Sequence, residues 1–347
     1  MGVTLKELSD SLGLSTSTVS RALSGREFKR ASTRAQVTRI LTRAGELGYE
    51  PNGLARSLKT KRRRVIGLIL PDIMNDYYAA AATQVQATLA AAGYQVILCV
   101  TGDDPAIEAA QRRLLREERV AGMVVVPSPQ LGPAHGMPGL RSAMPVIELV
   151  RHGVNSRDDA VLIDDVDAGR QGTEHLLGLG HRRIAVLTGP STFSTSRLRL
   201  DGYRQALGQA GVSIDPAIIQ SGPYRRDAAR VATSALLGGR DRPTALIATS
   251  NELVIGALQA LAAQNLRVPE DISLVGFGNA DWFALLRPAL TTLALPIQEM
   301  AMAAAHLLLK RIRLLDGPNS AYDTAPIVAR YQAQLITRES TRPLAVS

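Results

Sequence analysis

The 347-residue chain has one cysteine, one tryptophan and few aromatics of any kind. A single thiol cannot build a disulfide framework, and Cys99, inside the apolar run "VILCV", is expected to be a buried core thiol. No apolar run reaches the roughly 18 residues that a membrane-spanning helix needs. The opening "MGVTLKELSD" carries no apolar signal core. The expectation is a cytoplasmic protein without a membrane partner. Catalytic signatures are missing too: there is no HExxH, no GxxxxGK[ST] phosphate loop, no CxxC and no GxSxG elbow. "GLGHRR" lacks the third glycine of a dinucleotide fingerprint and follows a helical segment. The five histidines are scattered, and His181 is expected to pack at a turn. No enzyme, cofactor, metal site or catalytic residue is expected. What is present is 46% apolar residue content, which excludes wholesale disorder.

Charge is present but unevenly placed. The net charge is +9. Residues 1–64 hold 14 Lys and Arg against 5 Asp and Glu, so the whole excess lies there and the remaining chain is balanced. A small basic domain on a neutral body predicts a polyanion partner, nucleic acid first and an anionic membrane second.

Within that basic fifth, Thr4 and Glu7 form a capping box, with Val3 and Leu8 as a staple. Gly13 ends this first helix, Ser15 caps a second, and Gly25 ends it. Two short helices across a tight glycine turn describe a helix-turn-helix. The second helix, in "LSTSTVSRALSG", turns Val19, Ala22 and Leu23 inward and carries Thr16, Ser17, Thr18, Ser20 and Arg21 outward, with no acid. An acid there would face phosphates in a major groove. Short hydroxyls allow close approach, and Arg21 can read guanine or hold phosphate. A third helix is expected over about 33–47, with an apolar face of Val37, Ile40, Leu41, Ala44 and Leu47. Leu5, Leu8, Leu12, Val19, Leu23, Val37 and Leu41 are the expected common core. A plain core helix in another α-helical domain is the competing reading of the second helix.

Residues 49–64, "YEPNGLARSLKTKRRR", follow. Pro51 breaks the chain, Asn52 can cap a short helix over "GLARSLK", and a basic run closes the segment. A helix this short is marginal alone, so it is expected to order only when covered. A charged linker is the simpler alternative.

The rest of the chain alternates apolar strands ("VIGLIL", "YQVILCV", "GMVVVP", "PVIELV", "IAVLTG", "ALIATS", "SLVGFG") with helical segments at 79–92, 105–118, 168–178, 198–210, 252–264 and 297–315. This pattern predicts α/β halves with doubly wound parallel sheets, whose ligands bind beyond the carboxyl ends of the strands. The pairs Asp103/Asp104 and Asp164/Asp165 sit at strand ends without His or Cys companions, and are read as solvated or lobe-bridging carboxylates.

Seven stretches, "VTLKELSDSLGLSTSTVSRAL", "ELGYEPNGLARSL", "VIGLILPDIMNDYY", "TEHLLGLGHRRIAVLTGP", "PTALIATSNELVIGAL", "VPEDISLVGFGNADWF" and "RPALTTLALP", resemble the lactose/galactose repressor (LacI/GalR) family of bacterial transcription regulators. The resemblance implies a helix-turn-helix domain over 1–48, a hinge helix and basic linker over 49–64, and a two-lobed periplasmic-binding-protein-like core over 65–341. Its N-lobe would be 65–165 and 297–322, its C-lobe 166–296 and 323–341, with 342–347 as a tail. It implies a homodimer on a pseudo-palindromic double-stranded operator, repression as the sign of control, and a small-molecule effector between the lobes. Thr16 and Ser17 then match base-reading positions, and Thr18, Ser20 and Arg21 the other contacts of that helix. Asn52, Ala55 and Arg56 lie in the matching hinge, and Leu58 matches the wedge that kinks DNA in the minor groove. Lys29 and Arg30 replace the family's Val-Ser pair. That removes a capping serine, leaves Thr33 and Gln36 as a substitute box for a later helix start, and adds phosphate contacts. Effector positions match Tyr77, Tyr78, Phe193, Thr195, Arg199, Tyr224, Asn251 and Gly278. Many relatives have aspartate where Gly278 stands. With Arg199 kept, this favours a sugar acid, with a neutral sugar held by Asn279 or Asp281 as the alternative. A solute-binding protein and an enzyme fused to a DNA-binding head are the rival classes. The basic head and missing export signal disfavour the first, and the absent motifs the second.

Overall fold

The computed structural model describes residues 3–23, 31–49, 64–129, 144–239, 241–315 and 325–344, with backbone only for 31–34. The chain divides into two units, residues 1–63 and 64–347.

The first unit has three helices among its described residues: α1 (Leu5–Leu12), α2 (Thr16–Leu23) and α3 (Ala31–Glu46). The Thr4–Glu7 capping box forms, with the Glu7 backbone N–H on Thr4 Oγ1 at 3.2 Å and the Thr4 N–H on Glu7 Oε2 at 2.7 Å. Gly13 then turns left-handed at φ 64°, where a Cβ would be strained, and redirects the chain into α2 within three residues. Leu8, Leu12, Val19, Ala22, Ile40 and Ala44 are the buried core. Leu41, expected inside, is 52% exposed. On α3 the buried row steps from Ile40 to Ala44, and Leu41 lies about 100° further round the helix. α3 begins at Ala31, ahead of the expected Thr33 start, so Thr33 is inside the helix. Lys29, Arg30, Asn52, Ala55, Arg56 and Leu58 lie outside the described residues, as does the hinge helix.

The second unit holds two six-stranded sheets. Sheet one orders β11 (Val328–Tyr331), β5 (Asp159–Ile163), β4 (Val146–Val150), β3 (Gly122–Val125), β1 (Val65–Leu70) and β2 (Gln95–Val100). Sheet two orders β12 (Gln334–Ile336), β10 (Thr291–Ala294), β9 (Ser273–Phe277), β8 (Ala245–Ala248), β6 (Ile184–Thr188) and β7 (Ile219–Ser221). Every pairing is parallel except β10 with β12. β1, β3, β4, β6, β8 and β9 are apolar runs that helices cover on both faces, the pattern a parallel sheet requires. The helices are α4 (Asp76–Ala91), α5 (Pro105–Glu117), α6 (Asp165–Gly178), α7 (Ser194–Gln209), α8 (Arg226–Gly238), α9 (Asn251–Ala263), α10 (Trp282–Leu285) and α11 (Ile297–Leu315). No described helix is long and apolar enough to cross a membrane.

The chain passes between sheets three times. It leaves sheet one after β5, returns through α11, which packs on α4, β3, β4 and β5, and leaves again between β11 and β12. The last passage corrects the expected boundary, which assigned all of 323–341 to the C-lobe. β11 extends sheet one because Asp159 receives the Ile327 N–H at 2.7 Å and both Arg311 donors at 2.6 Å, anchoring the segment beside β5. Cys99 is also a correction: it lies half-buried on the edge strand β2, where Ile97, Leu98 and Val100 are each over 40% exposed.

Candidate functional site

On α2, Val19 and Ala22 are buried, so Thr16, Ser17 and Arg21 are exposed and Thr18 and Ser20 half-exposed. Ser15 Oγ accepts the Thr18 N–H at 3.2 Å and lies 2.9 Å from Ser17 Oγ and 2.8 Å from Thr18 Oγ1. The hydroxyls therefore form one cluster at the helix start, beside exposed Arg21 and without an acid on the helix. Negative charge is favoured at such a helix start.

In the second unit, the eight expected effector positions gather where the carboxyl ends of the two sheets face one another, Arg199 among them beside Tyr77 and Tyr224. Asn75 caps α4 by accepting the Tyr77 N–H at 3.0 Å, which sets Tyr77 and Tyr78 edge to face with centroids 5.4 Å apart. From the other lobe, Phe193 and Tyr224 stand 5.7 Å apart, and Tyr224 Oη lies 2.8 Å from Ser196 Oγ. Thr195 is buried in the first turn of α7, between Ser194, which reaches the backbone N–H of His152, and Ser196. Asn251 is buried at the start of α9 and fills the space in front of Gly278. Gly278 has φ 98°, and a Cβ there would lie 2.2 Å from Asn251 Oδ1. An aspartate there would be strained by the backbone and would have to displace the Asn251 side chain.

Arg199 is buried but not free to meet an anion. Its Nε is 2.8 Å from Asp165 Oδ1, its Nη1 donates to Thr249 O at 2.6 Å, and Phe277 lies 4.9 Å from its guanidinium. Asp165 is only 3% exposed, which corrects the reading of this carboxylate as solvated or lobe-bridging: its partner is in the same lobe. Asn279 accepts from Arg338 at 2.7 Å and Asp281 is exposed, so neither alternative holder of a sugar is positioned as expected.

The sequence reading missed Arg151. Val150, at the end of β4, has φ 69°, a strained value for a β-branched residue, and the Arg151 N–H closes a γ-turn on Leu149 O at 2.7 Å. That turn aims Arg151 at Asp103 (2.5 Å), Tyr78 Oη (3.1 Å) and the Phe193 ring (4.1 Å to its centroid). Arg151 thus joins one lobe to an aromatic of the other. Its position after a buried parallel strand was the available signal. Two buried hydroxyls have no partner among the described residues, Tyr77 Oη and Thr188 Oγ1. Burial pushes the Tyr77 phenol up, so it stays protonated and able to donate. Orphaned buried hydroxyls at a cleft mark hydrogen bonds that a ligand can supply. The free space beside Arg151 and Phe193 is only about 10 Å³. No cluster of metal-binding side chains occurs among the described residues. His181, buried between Thr244 and Ser273, is structural.

Two lobes with their strand ends facing define a periplasmic-binding-protein-like receptor, and a periplasmic binding protein-like domain model matches residues 173–341. The HTH-type transcriptional regulator DegA of Bacillus subtilis is 30% identical over 99% of both chains. The chain belongs to the LacI/GalR family of DNA-binding transcriptional regulators. The ribose operon repressor of Haemophilus influenzae is 29% identical over 92% of this chain and 94% of its own. Among solved structures, the CelR–cellobiose complex matches with TM-score 0.70 and 28% identity, over 97% of this chain and 99% of that one. The Lac repressor dimer bound to operator shares the fold, with TM-score 0.80 at 22% identity over 99% of this chain and all of that one.

Proposed function

We propose that the protein is a cytoplasmic homodimeric repressor, not an enzyme, whose effector is a small neutral carbohydrate held between the lobes. The observation that carries the effector class is charge pairing. Both cleft arginines already have carboxylate partners, Arg199 with Asp165 and Arg151 with Asp103. A neutral cleft with aromatic walls and unpartnered hydroxyls suits a polyol, and removes the reason to prefer a sugar acid. The names of relatives agree in kind: one solved structure is a regulator–cellobiose complex, and another relative is a ribose operon repressor.

At the DNA end, the proposal gives Thr16, Ser17, Thr18, Ser20 and Arg21 to the major groove and Lys29 and Arg30 to phosphates. Asn52, Ala55, Arg56 and Leu58 form the hinge, with Leu58 as the central wedge. Two heads then read a pseudo-palindrome. The dimer is supported by the apolar β2 edge, with Ile97, Leu98 and Val100, beside exposed Ile107 and Leu114 on α5. Selection from a random double-stranded DNA pool tests the reading. A symmetric site should emerge, and sugars titrated against it should change its affinity where matching sugar acids do not. Retention without enrichment, or tighter binding of the acid, refutes the respective half.

A further inference from the structure

A separate cavity of about 310 Å³ lies at the seam of the lobes, and none of Tyr77, Tyr78, Tyr224, Asn251 and Gly278 lines it. Its walls come from both lobes. The first supplies the loop after β4, the end of β5 and Arg330 of β11; the second supplies Asp165 and the start of α7. Val150, Val154, Leu162, Ile163 and Leu198 give it an apolar side. The polar side is cationic: His152, Arg197 and Arg330. Arg197 is exposed and, among the described residues, holds Ser191 O at 2.8 Å through one nitrogen; Arg330 is exposed as well. His152 Nδ1 lies 2.7 Å from a carboxylate oxygen of buried Glu148, and this pairing raises the imidazole pKa despite burial. The one carboxylate on the wall, Asp165, is engaged by Arg199.

We propose that this cavity is a second ligand site, for a small organic phosphate, that bridges the lobes independently of the effector cleft. Arg197 and Arg330 favour phosphate oxygens through charge-assisted hydrogen bonds, and the apolar wall takes the carbon skeleton. At about 300 Å³ the space is at the lower bound for small-molecule pockets, so the ligand has few carbons. Contact with both lobes gives it a way to bias their closure, because any ligand with different affinities for two states shifts them. The inference goes beyond the operator and sugar reading, and stands or falls separately from it.

The test is calorimetric titration of the full chain with glycerol 3-phosphate, using glycerol as uncharged control and inorganic phosphate as the minimal anion, at constant ionic strength. Glycerol 3-phosphate should bind, glycerol should not, and inorganic phosphate should bind more weakly. Arg197→Ala with Arg330→Ala should weaken glycerol 3-phosphate at least tenfold. Both side chains are at the surface, so the melting temperature without ligand should be unchanged, which checks the fold. Arg330→Glu gives a second, independent loss. Equal weak heats for ester and glycerol, or unchanged affinity in the double variant, overturn the proposal.

Discussion

Replacing Asp165 with asparagine keeps the volume and the acceptor beside Arg199 but removes the charge. The two side chains are 2.8 Å apart and only 3% and 7% exposed. Burial pushes the Asp165 carboxyl up against the pull of Arg199, while at Arg199 the same burial is outweighed by Asp165 together with Tyr224 and Tyr77, which hold the guanidinium charged. After the change, Arg199 keeps a carbonyl at 2.6 Å and the Phe277 ring at 4.9 Å, neither of which bears a full negative charge. Breaking a buried pair costs about 3–5 kcal/mol, because the survivor stays charged in a poor solvent. The retained hydrogen bonds put Asp165→Asn at the low end, about 3 kcal/mol. Urea unfolding of the whole chain checks this, following the transition of the second unit because head and body are separate units. The variant should also bind sugar acids better than their parent sugars, since its cleft has gained a net positive charge. A loss under about 1 kcal/mol would refute the reasoning, because it is the range of solvent-exposed pairs and would mean water reaches this one.

Arg311→Met should destabilise the same unit by about 3–5 kcal/mol, since it strands Asp159 in a site where both partners are 3% exposed; urea unfolding reads it. Tyr77→Phe removes a buried hydroxyl that has no partner among the described residues, so thermal unfolding without ligand should show a gain of about 1–3 kcal/mol, while the response of operator binding to sugar falls. Asp158 is held up to about 6 from 3.8, by burial first and by Glu148 next. A raised folded pKa means its stabilising share is present below about pH 4 and lost as pH rises through about 6. Asp158→Asn should therefore stabilise by about 1–2 kcal/mol at pH 7, after discounting for partial exposure, and by nothing at pH 4, which unfolding at the two pH values distinguishes.

Much of the fold was legible because its signals are local. The capping box at Thr4, the turn at Gly13 and the apolar runs of β1, β3, β6, β8 and β9 each lie within a few residues. What escaped depends on partners far along the chain. α8 carries a weaker local signal, because its buried positions are Ala229, Thr233, Leu236 and Leu237, a row that reads as helical only when small residues count as apolar. β11 was assigned to the wrong lobe because its place is set by Arg311 and Asp159, 152 residues apart. Aromatic cleft residues were legible from the family pattern, but their electrostatics were not. Arg199 reads as an anion-binding group until Asp165 is seen beside it, and Arg151 reads as a strand-end cation until the γ-turn at Val150 aims it across the seam.

These arrangements combine into an argument about coupling. An effector changes operator affinity only if it binds two lobe arrangements unequally. In the arrangement seen here, Arg151 meets Phe193, the His152 N–H meets Ser194, and Tyr77 Oη and Thr188 Oγ1 are buried without partners. Each orphaned hydroxyl disfavours this packing by about 1–3 kcal/mol relative to one in which water reaches it. A polyol that supplies both bonds would cancel that cost in this arrangement alone. Two such groups amount to about 2–6 kcal/mol, and turning a 1:99 equilibrium to 99:1 takes about 5.5 kcal/mol. The two hydroxyls thus reach the required scale only at the top of their range. The remainder has to come from the aromatic walls and the arginine pairs, so the coupling belongs to the cleft as a whole rather than to either hydroxyl.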